Sequence, residues 1–121
     1  MADKDHPELK LRLTLRGGEW LGPGKADLLE GIAETGSISA AGKRMKMSYK
    51  RAWGLVEVLN GMFRAPLVAS SRGGAGHGGA ELTEAGRDVL QLYRQMQSNA
   101  ASATEVEIAE LTRLADIPER K

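Results

Sequence analysis

Residues 37–63 carry the pattern of two short helices in immediate succession, and little else in the chain constrains the fold as strongly. Ser37 stands where a helix N-cap belongs, and the run Ser-Ile-Ser-Ala-Ala-Gly-Lys-Arg-Met follows it. Lys46-Met47 is the connection. Ser48 caps the next helix, expected over roughly 49–63, with Ala52, Leu55, Val56, Leu59 and Phe63 at core spacing. Ala40, Ala41 and Gly42 are small enough to let the two backbones cross closely. Met45 and Met47 fill the space beside the turn.

The flanks fix the rest of the architecture. Leu9, Leu11, Leu13 and Leu15 alternate with polar residues and predict a half-buried strand over 9–16, ended by Gly17-Gly18. Gly22-Pro23-Gly24 turns into a helix over 25–35, whose natural C-terminal residue is Gly36. Ala65-Pro66 stops the second helix of the pair. Leu67-Val68-Ala69 and Ala80-Glu81-Leu82 then read as two strands around a glycine tip, 73–79. Thr83 caps a long final helix with an apolar stripe of Val89, Leu90, Leu92, Tyr93 and Met96. Residues 98–104 are small and polar, a place for that helix to weaken or bend. The expected fold is mainly α with a small β component: a winged helix-turn-helix with an N-terminal strand and a long C-terminal helix. The expected segments are a leader over 1–8, the winged unit over 9–97 and a helical extension over 98–121.

Charge gives this fold a purpose. The chain has 17 basic and 16 acidic residues, yet Lys43, Arg44, Lys46, Lys50, Arg51, Arg64 and Arg72 face only Glu57 within residues 37–72. A basic field on a compact helical pair is the footprint of a protein that grips duplex DNA. In a helix-turn-helix the exposed N-terminal residues of the second helix enter the major groove. Here those are Ser48, Tyr49, Lys50 and Arg51. Lys and Arg can donate to guanine O6 and N7, whereas Ser and Tyr commonly reach phosphates. Ser37, Ser39, Lys43, Arg44 and Lys46 are the candidate phosphate contacts of the first helix and turn. Arg72 and His77 are those of the wing. Trp53 shares a face with Tyr49 and is read as packing.

Other chemistries find little support. Gly74-Ala75-Gly76-His77-Gly78-Gly79 satisfies G-x-G-x-x-G, but a strand rather than a helix follows it, so it is not read as a dinucleotide loop. His6 and His77 sit apart, there is no cysteine, and no catalytic or metal-binding motif is present. No cofactor is expected. The N-terminus has no apolar signal region, and a cytoplasmic location is expected.

Several strings together resemble the DNA-binding domain of the ModE-type molybdate-responsive transcription regulators. They are Gly36-Ser37-Ile38-Ser39, Ser48-Tyr49-Lys50-Arg51-Ala52-Trp53, Leu59-Asn60, the glycine segment from Arg72 to Ala80, Leu82-Thr83 and Gln91-Leu92-Tyr93. The likeness spans about residues 9–97. The helix-turn-helix is also similar to that of the LysR-type regulators. The resemblance implies a homodimer formed through the flanking strand and long helices, with Leu11, Leu13, Val89, Leu92, Tyr93 and Met96 as candidate dimer residues. It implies DNA contacts from Ser48, Tyr49, Lys50 and Arg51, helped by Arg72. Family members that sense molybdate carry C-terminal ligand-binding domains, and this sequence has no room for one before Lys121, so no oxyanion site is carried over. Two alternatives remain: an oxyanion sensor using Lys10, Arg12 and Arg16 at a dimer interface, and an interaction module using the acidic tail.

Overall fold

The computed structural model describes residues 7–72 and 78–115. The order is β1 (Leu13–Thr14), β2 (Trp20–Leu21), α1 (Pro23–Thr35), α2 (Ile38–Arg44), α3 (Tyr49–Met62), β3 (Val68–Arg72), β4 (Gly78–Leu82), α4 (Glu84–Ala103) and α5 (Glu105–Ala115). This is a mainly α winged helix-turn-helix. α1, α2 and α3 pack on one another, the antiparallel β3–β4 wing closes one side, and α4 returns across α1.

Each of the central helices begins at a side-chain cap. Ser37 Oγ accepts from Ala40 N at 3.0 Å, Ser48 Oγ from Arg51 N at 3.1 Å and Thr83 Oγ1 from Gly86 N at 3.0 Å. Each cap contributes about 1 kcal/mol by satisfying a donor that the helix cannot. α1 starts at Pro23, two residues before the expected position, because proline's fixed φ suits the first turn. It ends at Gly36 with φ 74°, a conformation glycine adopts without penalty. The wing is tied to that end, since Ala80 N donates to Gly36 O at 2.9 Å.

The helix pair crosses closely, as the small residues require. A Cβ on Gly42 would stand 2.8 Å from Ala52 Cβ, and one on Gly31 would stand 3.0 Å from Ala41 Cβ. The turn is built by Met45 N and Met47 N donating to Gly42 O, with Lys46 in the left-handed region at φ 59°. Ala52, Val56 and Leu59 of α3 are buried against Leu28, Leu29 and Ile32 of α1. Leu55 and Phe63, expected in the core, are half-buried at its edge.

The N-terminal strand departs from expectation. Of residues 9–16, only Leu13 and Thr14 form a strand, paired with Trp20 and Leu21. The glycines at 17 and 18, both with φ above 90°, reverse the chain so early that β2 offers only two partners. β2 itself was not anticipated. Leu9 and Leu13 therefore remain exposed, and Leu11 and Leu15 are half-buried. Trp20 lies between two cations, with Arg12 Cζ 4.2 Å and Lys25 Nζ 3.8 Å from its ring centroid. Lys25 Nζ also donates to Trp20 O at 2.8 Å. Desolvation lowers the Lys25 pKa; Glu19 opposes the shift and Arg12 adds to it.

α4 crosses α1 on two kinds of contact. Tyr93 is buried, and its hydroxyl donates to Leu11 O at 2.8 Å, which anchors the N-terminal segment. Burial raises the phenol's pKa. Arg94 reaches Glu30 and Asp27 of α1 at 2.6 and 2.8 Å. The helix runs through residues 98–103 and is interrupted at Thr104, the last residue of the small, polar stretch, whose hydroxyl donates back to Ala100 O at 2.6 Å. α5 then continues as a separate helix with no buried residue.

Candidate nucleic-acid interface

Because Ser48 ends the turn and caps α3, the next three side chains are carried on the first turn of that helix, at its N-terminal end. Tyr49, Lys50 and Arg51 are all exposed, as are Lys43, Lys46 and Ser48. The first turn of α3 holds no acidic residue. A helix N-terminus already carries about half a positive charge, so two cations there are unfavourable by roughly 0.3–1 kcal/mol each within the isolated chain. Lys50 and Arg51 thus add their charge to a positive helix end. By contrast, Lys43 and Arg44 lie in the last turn of α2, where the dipole favours them.

The aromatic pair is divided between packing and display. Trp53 is half-buried against the core, and Tyr49 meets it edge-on at 6.2 Å between centroids. Trp53 supports the inner edge of the Tyr49 ring while the remainder faces solvent, 56% exposed.

The other candidate residues fall in distinct places. Ser37 and Ser48 each accept one cap hydrogen bond on their oxygens, and each keeps its hydroxyl proton to donate to a second partner such as a phosphate. Ser39 is exposed on α2. Arg44 is held by Glu34 at 2.7 Å, an exposed pair worth little in water. Arg72 closes β3, opposite Gly78. His77 lies outside the described residues. Of the candidate dimer residues, Leu92, Met96 and Leu13 are exposed, Leu11 and Val89 are half-buried, and Tyr93 is enclosed within its own protomer. The oxyanion alternative rested on Lys10, Arg12 and Arg16. Arg12 is stacked on Trp20.

Gly54 was missed by the sequence reading. It lies on the outer face of α3 beside Ser48, Lys50, Arg51 and Val58, along a shallow groove. A Cβ there would meet nothing within 4 Å. The signal was available: a glycine within a helix costs about 0.5–1 kcal/mol relative to alanine, and no packing among the described residues accounts for it.

Among the described residues no cluster of His, Cys, Asp or Glu could hold a metal ion, and no helix is long and apolar enough to cross a membrane.

Comparison with known proteins places these features in context. The family described as bacterial regulatory helix-turn-helix protein, lysR family, matches residues 25–87. The chain is 40% identical over 86 residues to the molybdenum-pterin-binding protein MopB of Rhodobacter capsulatus, covering 71% of this chain and 32% of that protein. It is 36% identical over 94 residues to the molybdenum transport protein ModE of Azotobacter vinelandii, covering 78% and 35%. It is 40% identical over 86 residues to the DNA-binding transcriptional dual regulator ModE of Escherichia coli K12, covering 71% and 33%. The chain thus spans about a third of the length of the curated relatives it matches. A solved structure described as the CbnR_DBD-DNA complex shares the fold, with a TM-score of 0.56 at 24% identity over 73% of this chain and 95% of that one.

Proposed function

The chain belongs to the lysR family of bacterial regulatory helix-turn-helix proteins, and from that premise we propose that it is a sequence-specific, homodimeric DNA-binding transcription regulator acting in the cytoplasm. The observation that carries this reading is the pair Lys50 and Arg51 at the positive end of α3, with no acid in that turn to offset them. The arrangement opposes helix stability and favours an anion outside the protein.

α3 enters the major groove by its first turn. Lys50 and Arg51 reach base edges, and Ser48 and Tyr49 reach base edges or the adjoining backbone. Ser37, Ser39, Lys43, Arg44 and Lys46 anchor one phosphate strand, with Arg44 exchanging Glu34 for phosphate. Arg72 and His77 serve the wing. Dimerisation uses the exposed stripe of Leu92 and Met96, extended by Val89 and by Leu11 and Leu13 of the N-terminal segment. Tyr93 supports that surface from inside by holding Leu11. Two α3 helices related by a two-fold axis read a roughly palindromic operator with half-sites about one turn, ~10 bp, apart or a multiple of it.

The test is binding to DNA recovered from a random library by selection. If about five phosphates are neutralised per protomer, log K falls against log salt with a slope near about −9 for the dimer. The double variant Lys50→Ala, Arg51→Ala loses specific binding while keeping its helical circular dichroism. A flat salt dependence, or full binding by that variant, is incompatible with the reading.

A further inference from the structure

Among the described residues two surfaces are left uncovered, and they match. The first is a groove of 540 Å³ between the N-terminal hairpin, the end of α3 and the start of α4. Leu15, Met62, Phe63 and Val89 line it together with two arginines, Arg16 and Arg64, and one acid, Asp88, so its charged lining is net positive. The second is α5, which buries nothing. Its Val106, Leu111 and Leu114 are 79%, 64% and 65% exposed. It carries Glu105, Glu107 and Glu110, of which Glu110 pairs with Arg113, so α5 offers an apolar face with Glu105 and Glu107 beside it, and the groove offers an apolar floor with a net positive charge.

The helix cannot fill the groove of its own chain. α4 separates them: Ala85 borders the groove and Glu105 begins α5, so the full helix, about 30 Å at 1.5 Å per residue, intervenes. A second copy removes that obstacle. The exposed stripe of α4 is continuous with the groove through Val89, which belongs to both. When two α4 helices pair antiparallel about Met96, Val106 of one lies about 15 Å from the crossing point, and Ala85 of the other about 16 Å on the same side. The start of α5 then meets the groove. A second groove, between α4 and α1, is lined by Glu30, Leu82, Arg87, Leu90 and Gln91; Arg87 and Arg94 there are opposed by Glu30, and it shares no lining residue with the first.

We propose that α5 of one protomer docks in the Leu15–Met62–Phe63–Val89 groove of its partner, with its glutamates toward Arg16 and Arg64, so that the two chains are exchanged end over end. This rests on the dimer inferred above and specifies how its outer ends are closed. It also joins the dimer contact to the end of α3, the helix that reads DNA. Burial of Leu111 and Leu114 supplies the apolar contact that a short stripe on α4 lacks.

The chain has no cysteine, so thiols can be introduced one at a time. Ala65→Cys lies in the groove, Thr112→Cys beside Leu111 on α5 and Gln91→Cys on the opposite flank of α4. Mixing the Ala65→Cys and Thr112→Cys proteins under mild oxidation is expected to give a disulfide-linked pair on a non-reducing gel. Mixing Gln91→Cys with Thr112→Cys is not. The variant Leu111→Glu, Leu114→Glu is expected to weaken the dimer at least about tenfold by sedimentation while keeping its circular dichroism. A stable dimer that cross-links equally through Gln91 or fails to cross-link through Ala65 overturns the docking alone, as does one indifferent to the glutamates. A chain that sediments as a monomer at every concentration overturns the dimer reading, and the docking with it.

Discussion

Gly86 sits where the first turn of α4 passes the residue before β3. A Cβ at this position would lie 2.1 Å from Leu67 O and 3.0 Å from Leu67 C, both backbone atoms. Thr83 N donates to the same Leu67 oxygen at 2.9 Å, so the strand cannot retreat without breaking a bond that starts the helix. Gly86→Ala is therefore expected to cost about 3 kcal/mol in chemical denaturation, at the top of the range for overpacking. Gly54→Ala runs the other way. Its side chain meets open space, so the change should stabilise the protomer by about 0.5–1 kcal/mol through helix propensity. If α3 lies in a groove of DNA, the same methyl stands between protein and bases, and specific affinity should fall as stability rises. Denaturation and operator binding measured on the one variant check both halves. Asn60 shows what pattern alone could not reveal. It was flagged only as part of a resembling string, yet Oδ1 accepts from Leu67 N and Val68 N while Nδ2 donates to Val68 O. It continues the sheet's hydrogen bonding from the end of a helix, a role that depends on residues 67–68 arriving opposite it.

The helices were legible because each carries its own signals. Ser37, Ser48 and Thr83 mark starts, Gly36 and Pro66 mark stops, and the small residues at 40–42 mark the crossing. The N-terminal strand was misread because alternation reports which way side chains point, not whether a neighbouring strand exists to bond with. Leu9 to Leu15 alternate faultlessly, yet only Leu13 and Thr14 find partners. The stripe of α4, Val89, Leu90, Leu92, Tyr93 and Met96, was read as one surface and divides into three. Tyr93 is buried, Val89 and Leu90 are half-buried against the core, and Leu92 and Met96 face outward. Sequence periodicity could not separate the inward tyrosine from the outward leucine beside it, since both are apolar enough to pack. The division can be tested. Leu92→Glu combined with Met96→Glu touches little of the protomer's own core, so its thermal transition should move by no more than a few degrees at concentrations where the parent is monomeric. Sedimentation should show the dimer lost, because each buried contact of this kind contributes about 1.5–3 kcal/mol and both appear twice across a two-fold axis. Tyr93→Phe should act differently, loosening the N-terminal segment with Leu11 and Leu13 by removing the bond to Leu11 O while leaving Leu92 and Met96 in place, so the dimer should weaken only in part.

Across the whole molecule the charges are sorted rather than balanced. Residues 37–72 hold seven bases and one acid. The acids gather on α1, where Asp27 and Glu30 are occupied by Arg94 and Glu34 by Arg44, and on α5. The basic residues of α2, the turn and the start of α3 are thereby left to act together, while α4 packs on α1 and β4. In the proposed dimer, α4 would set the separation of two such basic faces, and that separation would have to fit the DNA. Inserting about 5 bp between selected half-sites turns one site to the far side of the duplex, while inserting about 10 bp restores its facing but moves it one helical repeat, about 34 Å, along the axis. Two domains on independent tethers would tolerate both insertions. A dimer fixed along α4 tolerates neither, because an offset of 34 Å exceeds the whole length of that helix, about 30 Å for its 20 residues. Affinity for either spaced operator is expected to fall to that for a single half-site, a loss of at least about a hundredfold if each half-site contributes several kcal/mol. Gel-shift titration across the spacing series reads this directly, and retained affinity at the 10 bp insertion would mean that α4 does not fix the two reading heads in place.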